Sequence, residues 1–236
     1  MMETRGFATV ALGLVRYQME QVQPPRGLWT PFQLGRPLGE PEDAAFQRRV
    51  LIHALGLLER HDGPVILADF PDDPPGWQDR ADWRPPIRSS APDAAPETPS
   101  AWAEQFAAEL ALIRPFWEKA QARYGRTTVG LSGQEPHMWP NFTAAIQRGE
   151  LPVASPHETA ALSLRFLCDD IKALYSEAAQ SIGPAPASRQ IDTWFWESTV
   201  AGQLLIALRN VAVVSENNAL KTVGSRFFVP TPFLPR

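Results

Sequence analysis

The sequence predicts an α/β protein: a small parallel-type sheet with packed helices in the N-terminal third, followed by an α-rich region. Three observations predict it. Short apolar runs alternate with amphipathic stretches over the first 70 residues, as β-α-β units do. A proline-rich stretch at 71–99 then interrupts the pattern. Beyond it, apolar residues recur every three or four positions, the spacing of helices. The expected organisation is an α/β unit at 1–70, a linker at 71–99 and an α-rich region at 100–236.

In the first third, Phe7 to Leu14 is an apolar run with β-branched Thr9 and Val10, and it predicts a buried strand. Gly13 near its end permits close backbone approach or a turn. Val15 to Val22 predicts a short helix with Val15, Met19 and Val22 on one face, stopped by Pro24-Pro25. Leu28 to Leu34 predicts a second strand. Behind it Gly35 and Gly39 interleave with Pro37 and Pro41, a stiff and specified turn. Pro41, Glu42 and Asp43 suit the first turn of a helix. That helix extends to about Arg60, with Phe46, Val50, Leu51, Ala54, Leu55 and Leu58 recurring at helical spacing. Val65 to Phe70 predicts a third strand, opened by Gly63-Pro64. Three strands leave sheet edges that need cover from the rest of the chain or from another subunit.

Within 71–99, the aspartates Asp72, Asp73, Asp79 and Asp82 with Trp77 and Trp83 suggest a segment laid on a surface. The later S-S-A-P-D-A-A-P-E-T-P-S reads as an extended linker. Ser100 to Arg123 is helical, with Pro115 expected to kink or divide it. Ser155-Pro156-His157-Glu158 has the form of a capping box for a helix to about Ser181. A last long helix is expected from Ser188 to Asn210. The apolar, proline-rich tail from Phe227 to Arg236 should wrap along a surface, its own or a partner's.

A net charge of −4 argues against non-specific nucleic-acid binding. No apolar run approaches the ~20 residues that span a bilayer. The N-terminus lacks a signal-peptide pattern, so a cytoplasmic location is expected. The single cysteine, Cys168, allows neither an intramolecular disulfide nor a cysteine zinc cluster. It lies among apolar residues beside two acids, which argues for a quiet, buried thiol. The four histidines have no helical ligand spacing, and no metal or other cofactor is expected. Eight tryptophans suggest large flat contacts, in a core or at a partner surface.

Candidate site residues follow from the expected sheet. Arg26 and Arg36 flank the second strand, and Asp69 ends the third. Ligands gather beyond the carboxyl ends of parallel strands, where an arginine can grip a carboxylate bidentately. The alternative for Arg36 is a surface pair with Glu40, Glu42 or Asp43, and for Asp69 a turn aspartate before Pro71. G-R-T-T-V-G-L-S-G at Gly125 to Gly133 is not a phosphate loop; it reads as an ordinary glycine-rich connection, or alternatively as one that offers backbone N–H groups to an anion. Asp170 and Glu177 share a helix face two turns apart, and Glu197 can meet them from the next helix. These acids form either a cation or proton site or solvated faces paired with Lys172 or Arg209.

The stretch F-Q-L-G-R-P-L-G-E-P followed by Q-R-R-V-L-I-H-A-L-G-L-L-E resembles the C-terminal end of component B of the glycine, sarcosine, betaine and D-proline reductases. The lead-in G-F-A-T-V-A-L and P-P-R resembles it too, so the likeness covers about the first third of the chain. It implies a reductase scaffold for amino-acid-like substrates. The family's selenocysteine or cysteine motif has no counterpart here. The resemblance therefore implies a non-redox subunit or accessory component, with a partner polypeptide supplying the thiol or selenol. The alternative is a stand-alone small-molecule-binding protein or enzyme built on Arg26, Arg36, Asp69 and Glu197. Self-association is a further expectation.

Overall fold

A computed structural model describes residues 2–32, 35–40, 42–73, 79–92, 94–150, 159–183 and 185–234. The chain divides into two compact units, Met1–Asp79 and Arg80–Arg236.

The first unit is a three-stranded parallel sheet in chain order, β1 (Ala11–Gly13), β2 (Arg26–Trp29) and β3 (Ile66–Asp69). Helix α1 (Arg16–Val22) links the first two strands, and α2 (Ala44–Gly56) the second pair. All three strands are shorter than the apolar runs predict. β2 starts at Arg26 and stops at Trp29, because Pro31 has no amide to give the ladder. The expected Gln33 and Leu34 lie outside the described residues. At β1 the Thr9 amide is taken by the Glu3 carboxylate at 2.9 Å, so pairing begins only at Ala11.

The register puts Ala11, Gly27 and Leu67 on one face and Leu12, Leu28 and Ala68 on the other. Helix α1 covers the first face. A Cβ on Gly13 would stand 1.9 Å from Met19 Sδ, and one on Gly27 would stand 2.4 Å from Met19 Cε. These glycines let the helix seat Met19 on the sheet. Helix α2 covers the second face, where Leu28, Ile66, Phe46, Val50, Ala54 and Leu57 form the core with Phe32 and Phe70. The two crossovers thus lie on opposite faces of a sheet whose strands run in chain order. They therefore have opposite hands, against the usual right-handed preference.

The turn before α2 is built as the glycines predict. Gly35 and Gly39 both have φ near +90°, and a Cβ on Gly39 would strike the Phe46 ring at 2.7 Å. The helix starts later than expected: Asp43 is its N-cap and accepts the Phe46 amide at 3.0 Å. Pro41 lies outside the described residues.

The second unit is helical: α3 (Pro99–Tyr124), α4 (Trp139–Gln147), α5 (Ala160–Ala179), α6 (Ser188–Ser198), α7 (Val200–Val213) and α8 (Asn218–Val223). Helix α3 runs through Pro115 as one element. The capping box at Ser155–Glu158 lies outside the described residues, and α5 is capped by Thr159, whose hydroxyl accepts the Leu162 amide. The expected helix from Ser188 to Asn210 is two helices. The chain breaks at Thr199, which is extended at φ −118° and ψ 149°.

From Arg80 onward the proline-rich stretch belongs to this unit rather than to a free linker. Trp83 packs on the helical core and Ile87 enters it. The Ser90 and Ala91 amides bond to the Ser198 carbonyl, and the Gln190 side chain brackets the Arg80 backbone. Trp102, Trp139, Trp194 and Trp196 are core residues, and Trp83 and Trp117 pack against the core. Six of the eight tryptophans thus serve this unit's own packing. The tail does likewise: Phe228 and Val229 are buried, and Phe233 stacks on Trp196 at 5.8 Å between centroids. Among the described residues no helix is long and apolar enough to cross a membrane.

Candidate functional site

The carboxyl ends of the three strands bring Gly13, Trp29 and Asp69 into register. Helix α1 opens just beyond β1, and its first residue, Arg16, reaches across. Arg16 Nη1 donates to Asp69 Oδ2 at 2.5 Å and Nε to Glu20 Oε1 at 3.0 Å. The guanidinium carbon lies 5.3 Å from the centroid of the Trp29 ring. Hydrogen bonds to Asp69, then Glu20, push the Arg16 pKa up, so it is a fixed cation. Both side chains are half exposed, and the space beside them, about 10 Å³, is room for one water. Asp69 is thus placed where strand-end chemistry is expected, and its partner is Arg16. Sequence reasoning passed over Arg16. The available signal was its position, the first helical residue after a parallel strand.

The other predicted residues lie elsewhere. Arg26 begins β2, at the opposite end of the sheet from Asp69, roughly 10 Å away along a four-residue strand. It pairs with Glu3 at 2.9 Å and its Nη2 donates to the Arg60 carbonyl at 3.4 Å. Hydrogen bonds from Thr9, with Arg26 behind them, hold the Glu3 carboxyl below its usual range. Arg36 pairs with Glu40 at 2.5 Å inside the turn. Glu197 is an exposed residue of α6.

Beside edge strand β1 lies an open cleft of about 360 Å³. Leu12, Leu14, Val15, Met19, Val22 and Pro24 line it, with Gln18 as its one polar side chain.

Asp169, Asp170 and Glu177 of the helical unit are occupied. The Asp170 carboxylate accepts the Gly130, Leu131 and Ser132 amides at 2.8–2.9 Å and the Ser132 hydroxyl at 2.5 Å. The glycine-rich loop does offer its N–H groups to an anion, but the anion is the protein's own. Glu177 accepts the Thr128 amide at 2.6 Å, the Thr127 and Thr128 hydroxyls and the Trp117 indole N–H, each at 2.8 Å. Lys172 pairs with Asp169 at 2.7 Å. Among the described residues no group of three His, Cys, Asp or Glu side chains is placed to hold a metal ion. Cys168 is fully buried, and burial first, then Asp169, pushes its thiol up to about 12.

Sequence reasoning also missed Glu109. It is 2% exposed and accepts the Val200 amide at 2.7 Å, the Ala201 amide at 2.9 Å, the Tyr175 hydroxyl at 2.6 Å and the Ser90 hydroxyl. It is a structural carboxylate with its lone pairs filled.

Comparison with protein-family models, with curated proteins and with solved structures finds no match to this chain.

Proposed function

We propose that the chain is a non-redox subunit of a reductase-like complex for amino-acid-like substrates, and that a partner polypeptide supplies the thiol or selenol. One observation carries this reading. The segment that resembles reductase component B folds as scaffold, namely β2, a rigid turn and α2, and it holds no thiol. The chain's one cysteine is enclosed in the other unit with its thiol held protonated. Among the described residues β1 and β3 are the edge strands of this sheet, and the unit exposes Phe7, Leu12, Val65 and Leu67. Such edges and apolar side chains suit association. Crosslinking followed by mass spectrometry of the native protein from its own cells tests this. The expected result is crosslinks from residues 1–70 to a polypeptide with an accessible cysteine or selenocysteine. Crosslinks only within the chain would refute it.

A second reading rests on Arg16, Asp69 and Trp29. A half-exposed guanidinium stacked on an indole at strand ends can exchange Asp69 for the carboxylate of a small ligand. Calorimetric titration with simple amino acids and betaines separates the two readings, because this one requires binding by the isolated chain that Arg16→Ala abolishes.

A further inference from the structure

Helix α2 has two apolar stripes, and the unit uses only one. Phe46, Val50, Ala54 and Leu57 are buried against the sheet. Turned away from them are Leu51, Ile52 and Leu55, exposed by 41%, 57% and 57%. Three large aliphatic side chains within five residues form a patch rather than scattered exposure. Arg48, Ile52 and Leu55 are spaced four and three apart along α2, the spacing of a seam that packs on another helix, and Glu59 follows at the end of the 3-10 turn, Leu57–Glu59, that continues α2.

The ends of this seam carry opposite charges. The ion pairs around α2 join Arg36 to Glu40, Arg49 to Asp72 and Arg60 to Asp62. Among the described residues they leave Arg48 and Glu59 out, and both are exposed. We infer that the partner for this face is the α2 of a second copy of the chain, packed antiparallel across a two-fold axis at the height of the His53–Ala54 peptide. That axis sets Ile52 of each copy against Leu55 of the other. It also sets Arg48 against Glu59 at both ends, so one surface complements itself, as an isologous interface requires. A parallel pairing would set Arg48 on Arg48 and Glu59 on Glu59. The inference does not rest on the proposed function, since it uses neither sheet edge nor a redox partner.

Sedimentation of the purified full chain at micromolar concentration tests it. The wild type should run at twice the chain mass, and Ile52→Glu should run as a monomer with an unchanged circular dichroism spectrum. Arg48→Glu and Glu59→Arg each create two like-charge contacts in a homodimer, and each should raise the dissociation constant about tenfold. An equimolar mixture of these two variants restores both opposite-charge contacts. It should dimerise as tightly as the wild type, and only as the heterodimer. A monomeric wild type, a dimer indifferent to Ile52→Glu, or a mixture no tighter than its components would each overturn the inference.

Discussion

The carboxylate of Glu109, in the middle of α3, accepts the amide of Val200 at 2.7 Å, 91 positions further along the chain. This bond and its neighbour to Ala201 cap the start of α7 from inside the core. Thr199 caps the same end locally, its hydroxyl accepting the Gly202 amide at 3.0 Å. Gly202 is required there, because a Cβ would lie 2.1 Å from the Phe195 carbonyl oxygen. Removing Glu109 therefore strands two buried amides and the buried Tyr175 hydroxyl, and takes the partner of the part-buried Ser90 hydroxyl. Glu109→Ala should cost about 3 kcal/mol, and Tyr175→Phe, which removes one donor, about 1 kcal/mol. Urea denaturation followed by circular dichroism checks both. Equal small losses would show that the carboxylate is not what holds the break.

Asp170 organises the loop at residues 130–132 in the same way, through three amides and a hydroxyl. Asp170→Ala should speed hydrogen exchange at Gly130, Leu131 and Ser132 while the α5 amides near Leu174 stay protected. The expected loss of stability is about 2–3 kcal/mol. Unchanged exchange in the loop would mean that its own turns hold it.

How much of this was legible in the sequence depended on how local its cause is. The parallel sheet, the turn at Gly35 and Gly39 and the helices α1, α2, α3 and α5 were readable, because periodicity and backbone restriction act within a few residues, whereas the short helices α4 and α8 were not expected. The second strand was expected to run on to Leu34, although Pro31, which lacks the amide, marks the earlier end that β2 takes. The break at Thr199 was not readable, because its decisive partner is Glu109 in another helix. The loop at 125–133 was legible as an anion-binding N–H donor or as an ordinary connection, and the choice was not, because Asp170, which takes its N–H groups, is about forty residues away. Leu51 and Leu55 were read as one face with Phe46 and Val50, whereas the sheet covers only half of that width. At the candidate site, the place of Asp69 was legible and the reach of Arg16 was not.

Cys168 should make the protein less stable in alkali. Its thiol ionises near 9 when exposed and near 12 when folded, so the unfolded chain binds fewer protons between those values. Stability therefore falls as pH rises through that window, by at most about 1.4 kcal/mol per pH unit, and is unaffected below it. Tyr175, whose hydroxyl burial and then Glu109 push further up, adds to the fall above 10. Cys168→Ala should flatten the first part of this decline in urea titrations at pH 8 to 11. At neutral pH the native thiol should resist alkylation, and fast stoichiometric labelling would contradict its enclosure.

The tail is part of the helical core. Truncation after Ser225 removes Phe228 and Val229, and should destabilise the unit by about 3–6 kcal/mol at 1.5–3 kcal/mol per large buried side chain. Thermal unfolding checks this. An unchanged midpoint would return the tail to a partner's surface.

The central proposal, that the redox group comes from a partner, is tested most directly by reductase turnover of the complex captured from native cells. Wild type and Cys168→Ala are compared with amino-acid-type substrates. Equal turnover is expected, and it should be abolished in both when an exposed thiol or selenol on the partner is alkylated. Turnover lost in Cys168→Ala, whose fold circular dichroism shows to be intact, would place the redox centre in this chain and contradict the proposal.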